Sequence, residues 1–217
     1  MHIKPIAAGF GLCLLLLAVF PFAQHAIGRG LQMNSVLEQA SRLFHRGDNG
    51  SNIAIYGHMV LGGALSFLAP LQLIGPIRRR WPVAHRVLGY ALIGLALVTG
   101  LGGCFYVLTQ GTIGGLAMDL GFGFYGACMV LAAVQTLRAA RARMPIHRVW
   151  ATRLIILALG SWIYRVHYGI WTLATGGIGI RADFTGPFDL VQMVAFYAPY
   201  LLIYEVLRRR RPALHLA

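Results

Sequence analysis

Residues 87–108 read VLGYALIGLALVTGLGGCFYVL, from Val87 to Leu108, without a single charge. At about 1.5 Å of rise per residue, a helix of this length crosses the roughly 30 Å hydrocarbon core of a bilayer. The same requirement is met outward from it on both sides. The apolar windows predict spans at 6–23, 53–75, 87–108, 116–137, 149–174 and 188–207. The whole chain agrees: of its 217 residues 58% are hydrophobic and 12% charged, where a water-facing domain carries about 25% charged. An ordinary soluble enzyme, a disordered chain and a secreted disulfide scaffold are excluded. Cys13, Cys104 and Cys128 each sit in an apolar run and form no CxxC, so neither a disulfide frame nor a structural metal is expected. The fold class that follows is an all-α polytopic membrane protein of about six transmembrane helices.

The chain divides into 1–52 (first helix and a long loop), 53–174 (a four-helix core) and 175–217 (a loop, the last helix and a basic tail). The first span is expected to stay uncleaved, because Ala23-Gln24-His25-Ala26 is a poor signal-peptidase site.

Charge placement predicts orientation. Lys4, Arg78, Arg79, Arg80, Arg86, Arg138, Arg141, Arg143, Arg148, Arg153 and Arg208 to Arg211 cluster at alternate span ends; these are 14 of the 19 Lys and Arg. The opposite ends hold Arg29, Arg42, Arg46 and Arg181 beside Glu38, Asp48, Asp119, Asp183 and Asp189. The positive-inside rule places both termini in the cytoplasm, as expected of a bacterial inner-membrane protein. The net charge of +13 is then a topology signal and an attraction to anionic headgroups, with no nucleic-acid role. In the loop 24–52, Leu31, Val36, Leu37, Ala40, Leu43 and Phe44 fit either a short surface helix or a packed connection. Asp48-Asn49-Gly50 reads as a turn rather than as the start of a glycosylation sequon.

Two loops resemble each other: Arg78-Arg79-Arg80-Trp81-Pro82-Val83-Ala84-His85-Arg86 and Arg141-Ala142-Arg143-Met144-Pro145-Ile146-His147-Arg148. Gly63 with Gly126 and Gln72 with Gln135 extend the match at a fixed offset. The expectation is a duplicated helical hairpin with a pseudo-twofold axis along the membrane normal. Each Pro would precede a helix, and His85 and His147 would sit at one depth.

At 100° per residue three stripes stand out: His58, Gly62, Leu65, Ala69, Gln72; His85, Gly89, Leu92, Ala96, Thr99, Gly103; and His147, Ala151, Leu154, Ala158, Ser161, Arg165. Small residues with a few costly polar ones predict faces turned to the bundle. Arg165 costs about 2.5–3.5 kcal/mol at a span centre, and Asp119 is its expected partner. His167 falls on another face, and His2, His25, His45 and His215 carry no assigned role.

His58, Pro70-Leu71-Gln72, Pro82-x-x-His85-Arg86-x-x-Gly89 and His147-Arg148-x-Trp150-x-x-Arg153 with Arg165 resemble a family of predicted bacterial membrane proteins, domain of unknown function 2306, over about residues 56–170. The resemblance implies a multi-helix membrane protein and no particular reaction. A looser similarity to di-haem b cytochromes implies an inner haem between His85 and His147, an outer one between His58 and His167, and Arg86, Arg148 and Arg165 for propionates. His147 and His167 lie on opposite helix faces, which argues against the outer site.

Three functions fit these residues. One is a binding or transport module in which the His-Arg corners hold an anionic lipid headgroup or small anionic solute, with Gln72 and Gln135 lining the way. Another is a haem b or quinone-linked redox protein using His85 and His147, with His58 and Arg165 at an outer polar site. The last is a structural or assembly factor. No GxSxG, nucleotide loop or clustered metal motif is present.

Overall fold

The computed structural model describes residues 3–210. Expectations on His2, Arg211 and His215 lie outside the described residues, as does the side chain of Lys4. The described chain is helical throughout: α1 (Ile3–Leu31), α2 (Val36–Gln39), α3 (Asn49–Leu68), a 3₁₀ turn (Ala69–Leu73), α4 (Gly75–Arg80), α5 (Pro82–Gln110), α6 (Gly115–Arg141), α7 (His147–Thr175), α8 (Pro187–Ala195) and α9 (Ala198–Arg210). Six of these helical stretches are long and apolar enough to cross a membrane, with α8 and α9 together making the sixth.

The core is a ring in which α3 packs on α5, α5 on α6 and α6 on α7, with α3 meeting α7 to close it. Leu65, Leu92, Ala96, Met129, Ala133, Leu154, Leu157 and Ala158 fill its centre. The three predicted stripes supply Leu65, Leu92, Ala96, Leu154 and Ala158, and α6 adds Met129 and Ala133. Close approach of α5 and α6 depends on Gly100 and Gly126, where an added Cβ would fall 2.8 Å from Val130 and 2.6 Å from Cys104. Large apolar side chains such as Leu17, Phe20, Leu101, Phe105 and Leu173 form the exposed belt, as a hydrocarbon environment allows.

One face of the bundle carries the arginine-rich turns 74–81 and 142–146. The other carries residues 32–48, 111–114 and 176–186.

Four expectations need correcting. First, α1 runs to Leu31 rather than ending near 23, because Ala23, Ala26 and Gly30 are buried against α3 and hold the helix down beyond its polar Gln24 and His25. The loop is therefore 32–48, and His25 and Arg29 are helical. Second, its short helix is a single turn, Val36–Gln39. That turn is too short to carry the whole stripe: it presents Val36 and Leu37, exposed at 85% and 81%, and buries Glu38 at 8%, because Ser35 caps the turn and Arg29 draws the carboxylate inward.

Third, the sixth span breaks between α8 and α9, where Pro199 cannot donate to a carbonyl one turn earlier. Fourth, the two hairpins differ in their turns. The first contains the 3₁₀ turn and α4, and Pro82 is the first residue of its returning helix. The second has a bare turn, Pro145 lies within it and the helix starts at His147.

The far face is pinned by buried carboxylates. Asp189 is fully buried and accepts from the backbone N–H of Arg181 and Gly186, both at 2.9 Å, and from Tyr168 Oη at 2.6 Å. As the third residue of α8 reaching back to its cap, it supplies half of a capping box at the positive end of the helix. Asp48 caps α3 through Ser51. That backbone bond, with the Ser51 hydroxyl, holds the Asp48 carboxyl below its ordinary range.

Candidate functional site

Arg165 does not pair with Asp119. The Asp119 carboxylate turns to the 111–114 loop and accepts from the Thr112 N–H at 2.6 Å. Depth along a helix axis does not fix rotation about it. Arg165 points the other way, donating to the Ser161 carbonyl at 2.9 Å and resting over the Phe22 ring of α1 at 4.9 Å. It stands ten residues before the end of α7, about 15 Å by helical rise. Among the described residues no carboxylate lies within ion-pair distance of it.

Arg165 lines a cleft of about 80 Å³ bounded by α1, α3, α5, α6 and α7 and open at its mouth. His58, Ser161, Arg29 and His25 share that lining, against apolar walls that include Phe22, Met59 and Met129. No Asp or Glu lines it. The His58 ring is fixed by one bond. Nδ1 lies 2.8 Å from the Thr99 carbonyl, and since a carbonyl can only accept, Nδ1 donates. Nε2 is then the acceptor nitrogen of the neutral ring and is left for a ligand O–H, the arrangement by which a backbone partner orients an imidazole. Gly103 makes room for this pose, because a Cβ there would sit 2.9 Å from Nδ1. Thr99 adds a second polar atom: its Oγ1 is buried without a partner among the described residues.

Arg29 closes the far end. It donates to Glu38 at 2.7 and 3.2 Å, and Tyr56 Oη donates to the same carboxylate at 2.8 Å. The Arg29 bond holds the Glu38 carboxyl below the usual glutamate range, with Tyr56 adding to it. Neither His25 nor Arg29 was expected at a site. The spacing of Ala23, Ala26 and Gly30, three and four residues apart, was the available signal that α1 continues and carries them inward.

The family model for predicted membrane proteins of domain of unknown function 2306 matches residues 55–207. The chain belongs to this family. The match extends beyond the expected 56–170 and takes in the sixth span. No curated protein and no solved structure matches the chain.

Of the residues that carried the family resemblance, His58 and Arg165 meet in the cleft, while the His-Arg motifs lie on the arginine-rich face. There Gln72 donates to the His85 carbonyl at 3.2 Å, and His147 Nδ1 lies 3.3 Å from the Thr136 carbonyl. Arg86 is exposed, and Arg148 is half-buried. Arg153 packs over Trp150 and binds Glu205, which also holds Arg208. Glu205 is thus an ion-pair hub for two arginines.

The outer histidine pair does not form. His167 turns to α8 and α9, with Nδ1 facing the Gln192 side chain and Nε2 2.8 Å from Tyr200 Oη. His58 is committed to the cleft instead. His45, given no role from sequence, ties the 32–48 loop to Tyr106 and Asn52.

Proposed function

We propose that this protein is a membrane-embedded binding module for an anionic group, with Arg165 as its principal contact and His58 and Arg29 beside it. The carrying observation is the Arg165 guanidinium at span depth, facing a cleft without acids. A charge so placed is costly, and its remaining N–H donors suit a phosphate or carboxylate fork. The expected result is that anionic ligand stabilises the purified wild type in a thermal-shift titration, and that Arg165→Ala weakens binding at least tenfold. Equal binding by a folded Arg165→Ala variant would reject the reading.

A redox alternative is supported by the placement of His85 and His147 on the same arginine-rich face and by the His147 Nδ1 contact, which leaves Nε2 available. A haem b there predicts a Soret band in protein purified from haem-replete cells, lost with either His85→Ala or His147→Ala. A colourless preparation rejects the haem.

Both termini are proposed to be cytoplasmic, in the inner membrane, from the charge asymmetry. Reporter fusions after Ala217 and at Asn49 should report opposite sides, with the Ala217 fusion cytoplasmic. A reversed pattern overturns the orientation.

A further inference from the structure

Resting on the cleft reading above, we infer that the ligand is a membrane-borne anionic amphiphile, a lipid with a phosphate or carboxylate head, admitted sideways between α1 and α7. The two possible approaches to the cleft differ in what guards them. On the far face a shallow hollow is lined by Gln24, Arg29, Gln32 and Glu38. His25 and Arg29 both line this hollow and the cleft, and Arg29 stands where one leads to the other. Its guanidinium is occupied by Glu38, and Glu38 is held from behind by Tyr56. A free anion arriving from water meets a carboxylate and a closed ion pair before it reaches Arg165.

The lateral approach has no such barrier. Helices α1 and α7 touch through the Trp162 indole, which donates to the Ala18 carbonyl at 3.1 Å, and through Arg165 over Phe22. The Arg165 side of this seam is exposed, within the belt where α1 shows Leu17 and Phe20. No acid lies at this mouth among the described residues. The cleft is also two-sided in chemistry. Arg165 suits a charged head, the His58 Nε2 acceptor suits a hydroxyl on that head, and Phe22, Met59, Met129 and Leu65 suit alkyl groups attached to it. A small hydrated anion would leave those apolar walls unused and would have to shed its water at span depth. An amphiphile delivers its head from the leaflet with its chain already in hydrocarbon.

The test uses the full chain in phosphatidylcholine vesicles doped with a photoactivatable phosphatidylglycerol, with and without inorganic phosphate at about a thousandfold excess over the doped lipid. The expected result is cross-linking to α1 and α7 peptides around Phe22 and Trp162, unchanged by phosphate and reduced at least tenfold in Arg165→Ala. Glu38→Gln, which loosens the barrier at Arg29, should make the cross-link sensitive to phosphate. If phosphate displaces the lipid from the wild type, lateral admission is overturned while the anion site stands. If the wild type shows neither cross-linking at the seam nor stabilisation by phosphate, both readings fall. Should Arg165→Ala not accumulate, the wild-type competition alone decides the route, and Arg165→Lys tests the site by keeping the charge and losing the fork.

Discussion

Replacing Asp189 with alanine should lower the melting temperature of the detergent-purified protein by roughly 5–10 °C, while Asp189→Asn should lower it far less. The carboxylate is fully buried and serves three donors at once. Alanine leaves all three without an acceptor, at about 1–3 kcal/mol for each group that water cannot reach. Water at the far face will reach some of the backbone groups, so the net loss is about 3 kcal/mol, which for a chain of this size corresponds to the stated drop. Asparagine keeps one oxygen for the two backbone N–H groups. Its amide can donate to Tyr168, whose hydroxyl reverses its role. If alanine and asparagine melt alike, the carboxylate is not the element that pins α8 to the 176–186 loop.

Gly30→Ala should be the most damaging single-methyl change on α1. The added Cβ would fall 2.5 Å from Val60 Cγ2 and 2.7 Å from the Tyr56 carbonyl oxygen. The second of these is backbone, so α1 must move away from α3. Overpacking of this kind costs about 1–3 kcal/mol. The shift also moves Phe22 and the rest of the α1 wall off Arg165, so anionic ligand should bind at least fivefold more weakly. Gly28→Ala is the control, because nothing lies within 4 Å of a Cβ at that position. Matching melting curves and matching binding for the two variants would show that α1 does not seat through Gly30.

The spans were legible because hydrocarbon demands long apolar runs, and the inward faces were legible because a bundle selects small residues. Leu92, Ala96, Leu154 and Ala158 follow directly from that reasoning and are buried as the stripes require. What failed was rotation and continuation. Asp119 and Arg165 were matched by depth, yet Asp119 is claimed by Thr112, a contact set by a glycine-rich loop with no periodicity to read. The end of α1 was misplaced because Gln24 and His25 look like an exit from the membrane, although Ala23, Ala26 and Gly30 keep their helical spacing through it. The break before Ala198 was hidden by averaging hydropathy across Pro199. The cleft therefore could not be assembled from sequence: two of its four basic side chains, His25 and Arg29, sit on a helix whose last two turns read as loop.

The family match begins at residue 55, inside α3, whereas Phe22, His25 and Arg29 belong to α1. The groups proposed to grip the ligand, His58 and Arg165, and the wall that frames the aperture thus come from separable stretches of chain. A relative that kept the matched helices and carried a different leading helix would retain the same grip behind a differently shaped doorway. Selectivity could then diverge among such proteins by exchange of one segment, without any change to the residues that hold the charge.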